Sequence, residues 1–191
     1  MTPKILAFAG SLRRASYNKM LVSVAAQGAR EAGAEVTLID LAEFPMPIYD
    51  GDIESASGIP DSALKLKKLM KGHQGFLISA PEYNSSISAA LKNVIDWTSR
   101  PMEGESNLEC YAGKVIGLMA VSPGALGGLR GLFHVRDIFL NINSIVLPNQ
   151  YALSGANDAF DDQGSLKDAG TRTKVHSIAA RVVDTVRKLH A

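Results

Sequence analysis

The sequence predicts an α/β fold: a doubly wound, five-stranded parallel sheet of order 2-1-3-4-5 with helices on both faces. Three observations predict it. Five short apolar runs recur along the chain. Most are continuous rather than alternating, as in strands buried on both sides. Helical patterns fill the gaps, and right-handed crossovers between parallel neighbours then place helices on either face.

The runs are KILAFAG (4–10), EVTLIDL (35–41), GFLISA (75–80), KVIGLMAV (114–121) and SIVLPN (144–149). After the first, Leu21, Val24, Ala25, Gly28 and Ala32 make an apolar stripe that Gly33 closes as a C-terminal cap. Residues 61–72 read as a helix with Leu66, Leu69 and Met70 inward and Lys65, Lys67, Lys68 and Lys71 outward. The stripe Ile87, Ala90, Leu91, Val94 and Ile95 is entered from NSS, where a serine can accept a bond from a free backbone N–H. A further helix covers Gly128 to Asn141, and Val175, Ile178, Ala179, Val182, Val183, Val186 and Leu189 carry the last. Segments 42–60 and 152–166 read as surface loops, Trp97 as a packed residue, and 1–191 as one domain.

Charge and cysteine usage exclude several function classes. Lys plus Arg number 20 against 19 Asp plus Glu, so no global field draws in nucleic acid or an anionic membrane. Cys110 stands alone, which rules out an intrachain disulfide framework, and no Cys/His spacing suits a metal. Ala7-Phe8-Ala9 mimics a secretory cleavage site, but the apolar stretch from Ile5 to Gly10 is shorter than the ~7–15 residues of a signal core. No run approaches the ~18 apolar residues of a membrane span. A cytoplasmic location is expected.

In this strand order the ligand crevice lies at the carboxyl ends of strands 1 and 3. The loop after strand 1 reads GSLRRASYNK. A helix begins there, and its free N–H groups and dipole favour an anion. Ser11, Ser16 and Asn18 add side-chain donors, while Arg13 adds a planar fork matched to phosphate oxygens. The loop lacks both G-x-x-x-x-G-K-[ST] and G-x-G-x-x-G, which leaves a monophosphate. The competing reading has serine and asparagine merely capping the helix with both arginines solvated, and Arg14 is read that way.

After strand 3 comes APEYNSSISAALKNVIDWTSR. Pro81, Glu82, Tyr83 and Asn84 suit a flat heterocycle: N–H groups of 82–85 can meet its carbonyl oxygens, and Tyr83 or Ile87 can cover a face. After strand 4, SPGALGGLRG brings Gly124, Gly127 and Gly128 to the same crevice, where they permit close backbone approach. A hydrolase built on Ser11 or Ser16 would need a base, yet His73, His134, His176 and His190 fall outside the crevice loops.

In order and spacing, GSLRRASYN, PEYNSSISAALKNVIDWTSR and SPGALGGLR resemble the NAD(P)H-dependent FMN reductase family, a flavodoxin-like group that includes quinone and chromate reductases. Ala89-Ala90 stands where many relatives have small or glycine residues. The resemblance implies non-covalent FMN, with Ser11, Arg13, Ser16, Tyr17 and Asn18 on phosphate or ribityl. Pro81, Glu82, Tyr83, Asn84 and Ile87 would line the ring, and Ser122, Pro123 and Gly124 its other edge. It also implies hydride transfer from NADPH or NADH, ping-pong reduction of a quinone, flavin or similar small acceptor, and no catalytic acid, base or nucleophile from the protein. A homodimer or homotetramer is implied, with 42–60 contributing to the interface. An FMN-binding electron carrier or redox sensor is the alternative, although the carriers in question are markedly acidic and this chain is near +1.

Overall fold

A computed structural model describes residues 1–191. The chain runs through β1 (Lys4–Ala9), α1 (Tyr17–Glu31), β2 (Glu35–Ile39), a 3-10 turn (Leu41–Glu43), α2 (Gly51–Ser57), α3 (Asp61–Lys71) and β3 (Gly75–Ser79). Then come β4 (Glu82–Tyr83), β5 (Ser86–Ile87), α4 (Ala89–Thr98), β6 (Val115–Val121), α5 (Leu129–Asn141), β7 (Ile145–Val146), β8 (Tyr151–Leu153), α6 (Ala156–Ala159) and α7 (Ala169–Leu189).

The main sheet has the order β2-β1-β3-β6, with β7 and β8 both paired to β6 and every pair parallel. This is the expected 2-1-3-4-5 order with its fifth strand broken in two. β7 pairs with Val115 and Ile116, and β8 with Met119 to Val121. Pro148 lies between the two pieces and has no N–H to donate to a ladder.

Two hydrophobic cores sandwich the sheet, and alternation along each strand sorts residues between them. Ile5, Ala7, Ala9, Leu77, Val115, Met119 and Val121 pack with α1 and α7. Leu6, Phe8, Phe76, Ile78, Ile116, Leu118 and Ala120 pack with α3, α4 and α5. Helix ends follow local chemistry: α1 closes with Gly33 at φ 87, and Asp168 caps α7 by accepting from Thr171 N at 2.6 Å. None of the helices is long and apolar enough to cross a membrane.

Four sequence expectations change. The stretch 152–166 is no surface loop: it begins in β8, forms α6, and buries Ala156, Phe160 and Leu166. Those apolar residues are too widely spaced among polar ones to show a period. Segment 42–60 contains the helix α2, capped by Asp50 and without a buried residue. NSS does not enter α4; Ser88 does, accepting from Leu91 N at 3.2 Å, and Ile87 belongs to a strand. Trp97 packs as expected, fully buried, with Nε1 donating to Pro47 O at 2.8 Å.

The fourth change concerns Lys67, expected to face outward. Its side chain is 2% exposed, because the segment 100–113 folds over α3 and brings Glu105 Oε2 to within 2.7 Å of Nζ. Lys67 Nζ also donates to Arg100 O, and Lys71 Nζ meets Glu105 Oε1 at 2.6 Å. Burial raises the Glu105 pKa, but hydrogen bonds and charge from the two lysines outweigh it and hold the carboxyl below the usual range. Removing Glu105 would strand a buried ammonium. Glu105→Ala is expected to cost about 3–5 kcal/mol in urea unfolding, and pairing it with Lys67→Met should recover most of that loss.

Candidate functional site

The carboxyl ends of β1, β3 and β6 lie side by side, and one side chain ties two of them to the start of α1. Asn18 Nδ2 donates to Val121 O at 3.0 Å, while its Oδ1 accepts from Val121 N at 3.2 Å and from Ser79 Oγ at 2.8 Å. Gly10 N donates to Ser79 O at 2.9 Å, and Gly10 O accepts from Ser88 Oγ at 2.6 Å. All three crevice loops are therefore rooted in one hydrogen-bonded knot. The Asn18 amide, expected as a free donor, is committed to this knot and leaves only its backbone N–H facing the loop.

Within the first loop the donors are unpaired. The N–H groups of Ser11, Leu12, Arg14, Ala15, Ser16, Tyr17 and Asn18 find no acceptor in the chain; Arg13 N reaches Ser11 Oγ at 3.3 Å. Ser16 has N-cap backbone angles, φ −91 and ψ 122, yet its hydroxyl caps nothing. Asp50, Ser88 and Asp168, by contrast, each cap their own helix. The capping reading of this loop therefore fails for both Ser16 and Asn18. Ser11 and Ser16 are buried, and Arg13 and Arg14 are exposed without a carboxylate partner. Together they make a set of donors carrying positive charge at a helix N-terminus, which suits a compact anion. Tyr17 turns aside: its ring stacks on Phe160 at 6.0 Å and its hydroxyl donates to Asn157 Oδ1 at 3.1 Å.

The second loop is a hairpin that sequence reasoning missed. β4 and β5 pair antiparallel, Glu82 with Ile87 and Tyr83 with Ser86, around Asn84 and Ser85 at φ 50 and 65. This is a two-residue turn of type I′ made without glycine. Asparagine's tolerance of the left-handed region was the available signal, but Asn-Ser is a weaker mark than Asn-Gly. The N–H groups of Asn84 and Ser85 have no partner in the chain, Tyr83 is half exposed, Ile87 is half-buried and Pro81 is buried. Glu82 points away from solvent: its carboxylate accepts from Arg130 Nε at 2.9 Å, Arg130 Nη2 at 2.6 Å and Gly131 N at 3.0 Å. Burial pushes its pKa up, yet these bonds prevail and keep it below the usual glutamate range.

The third loop is anchored at its start, with Ser122 N on Leu153 O at 3.1 Å and Ala156 N on Ser122 O at 3.2 Å. Pro123 and Gly124 are exposed, and the N–H groups of Gly124, Ala125 and Leu126 are unpaired. Gly127 and Gly128 are required by the fold: both have positive φ, and an added Cβ would come within 2.6 Å of Leu153 C or 2.7 Å of Ala120 Cβ. At Gly124 a Cβ would meet nothing nearer than Ser122 Oγ at 3.7 Å. His134, expected outside the crevice loops, lies on α5 with Nδ1 at 2.9 Å from Ser86 Oγ of the hairpin. It touches neither Ser11 nor Ser16.

The sequence profile of the NADPH-dependent FMN reductases matches residues 3–158. The chain belongs to that family. It is 32% identical to an NAD(P)H-dependent FMN reductase of Pseudomonas aeruginosa over 97% of this chain and 96% of that one. A quinone reductase of Escherichia coli is 30% identical over 88% of this chain and 87% of its own. Among solved structures, the flavoenzyme NAD(P)H:(acceptor) oxidoreductase of Paracoccus denitrificans superposes with a TM-score of 0.82 at 25% identity, covering 98% of each chain. An archaeal flavodoxin at 8% identity and a TM-score of 0.62 shares the fold alone.

Two outcomes follow from the site's own bonds. Asn18→Ala leaves Val121 N, Val121 O and Ser79 Oγ without their buried partner and is expected to lower unfolding stability by about 2–4 kcal/mol, measured by denaturant titration. The depressed pKa of Glu82 means its contribution is complete above the ordinary carboxylate pKa and is lost as pH falls through the lowered value. Melting temperature against pH should therefore drop less steeply below about pH 5 in Glu82→Gln than in the natural protein.

Proposed function

We propose that the crevice binds FMN and that this chain is an NAD(P)H-dependent flavin or quinone reductase. One observation carries the reading: the run of N–H groups from Ser11 to Asn18, unpaired except at Arg13, beside a Ser16 hydroxyl that caps nothing. Such a donor set at a helix N-terminus is matched to an anion. Ser11, Arg13 and Ser16, with the N–H groups of Tyr17 and Asn18, hold the phosphate. Pro81, Tyr83 and Ile87 wall the ring, and the N–H groups of Asn84 and Ser85 face its polar edge. Ser122, Pro123 and the unpaired N–H of Gly124 meet the opposite edge.

Bound FMN supplies a two-electron carrier between a nicotinamide and a small acceptor. The chain's own part is to orient it, to offer backbone donors where negative charge gathers, and to leave one face open. Tyr83, half exposed at the mouth, is placed to flank whatever enters there. A single open face admits co-substrate and acceptor in turn, which makes the kinetics ping-pong. Family membership and the names of the relatives support quinones and flavins as acceptors. The reading extends to one domain over 1–191, a cytoplasmic enzyme, and a homodimer or homotetramer. The segment around Ile48, which is 84% exposed, would contribute to the subunit contact.

The test is titration of the purified, flavin-stripped protein with FMN, followed by steady-state oxidation of NADPH and NADH with a benzoquinone. The expected results are a yellow complex and parallel double-reciprocal lines. Arg13→Ala and Ser16→Ala are expected to weaken FMN about tenfold or more with melting temperature preserved, the size of a lost charge-assisted hydrogen bond. A folded protein that binds no FMN overturns the proposal.

A further inference from the structure

Gly131 lies in the first turn of α5, where glycine costs about 1 kcal/mol relative to alanine. The hairpin explains it. A Cβ at this position would stand 3.2 Å from Glu82 Cβ, 3.2 Å from Ser86 O and 3.3 Å from Glu82 Cα. The hairpin thus rests directly on the helix backbone. Around that contact two pairs of side chains fasten it: the Glu82 carboxylate on Arg130 and Gly131 N, and, farther along α5, Ser86 Oγ with His134 Nδ1.

The dependence runs both ways. α5 starts at Gly128, which has no side chain and makes no cap bond. Glu82 supplies what is missing, a carboxylate at the positive end of the helix, delivered from a loop 49 residues away. In return the hairpin is held in a turn whose two central residues are both left-handed and neither is glycine. A turn of that kind persists only when its surroundings hold it.

We propose that the first turn of α5 is the seat that positions the hairpin, with Glu82, Arg130 and Gly131 as positioning residues for the ring-facing N–H groups of Asn84 and Ser85. This rests on the FMN reading above. Arg130 is bound to Glu82, and Gly131 is buried against the hairpin, so both act through the hairpin. Because the same turn of α5 ends the third crevice loop, this one contact also sets the spacing between the second and third loops. The phosphate seat, built on α1, is not part of it.

The experiment compares Gly131→Ala, Arg130→Met and Arg130→Lys with the natural protein, using hydrogen exchange of residues 82–87 without flavin and titration with both FMN and riboflavin. Gly131→Ala pushes the hairpin outward without changing charge; Arg130→Met removes the ion pair without adding bulk to the helix backbone. Both are expected to speed exchange at the hairpin amides, to weaken FMN and riboflavin by the same factor of about ten, and to shift the bound-flavin absorption bands. Arg130→Lys should restore part of the loss. Arg13→Ala serves as the contrast, weakening FMN but not riboflavin. Unchanged hairpin exchange in both variants overturns the seat itself. Faster exchange with flavin affinity and spectrum intact overturns its role in positioning, while leaving the FMN reading in place. A natural protein that fails to bind FMN removes that reading and the positioning role together.

Discussion

The Asn18 amide joins a helix N-terminus to the ends of two strands that lie 61 and 103 residues away in sequence, and every loop of the crevice departs from that point. A site that presents unpaired donors cannot hold itself together through those donors. Its rigidity has to come from bonds placed behind the surface. Asn18 provides them by using both faces of its amide, with Ser79 Oγ and Val121 N on the oxygen and Val121 O on the nitrogen. Each is buried, so each is strengthened by the low local dielectric and would be expensive to lose.

Polar groups are handled in two opposite ways in this fold. Lys67 and Glu105, among the most deeply buried charges, are fully paired and tie the 100–113 segment to α3. Cys110 beneath that segment is buried too, and burial pushes its thiol up to about 11, which keeps it protonated and unreactive. At the first crevice loop the Ser16 hydroxyl and the neighbouring N–H groups have no partner in the chain. Full pairing at the Lys67–Glu105 pair and free donors at the first loop are the two extremes.

Much of this arrangement was legible beforehand. The strand runs were readable because parallel strands buried on both faces are continuous in apolar residues, and α1 and α7 were readable because their stripes repeat at the helical period. The hairpin at 82–87 was not, since two-residue strands show no period and Asn84-Ser85 lacks the glycine that marks such a turn. The inward Lys67 and the buried residues of 152–166 also escaped notice. Their neighbours are distant in sequence, and nothing local announces them.

The sequence by itself determined the sheet order, the position of the crevice and the residue types around it, because hydrophobic period and helix-terminus chemistry are local properties. Tertiary structure alone decided which of those residues face the crevice. Asn18 turned inward to join strands, Glu82 turned onto α5 to cap it, and Tyr17 went to Phe160 and Asn157. A side chain with several possible hydrogen-bond partners is claimed by whichever the fold brings within reach, and that distance is set by packing rather than by sequence position.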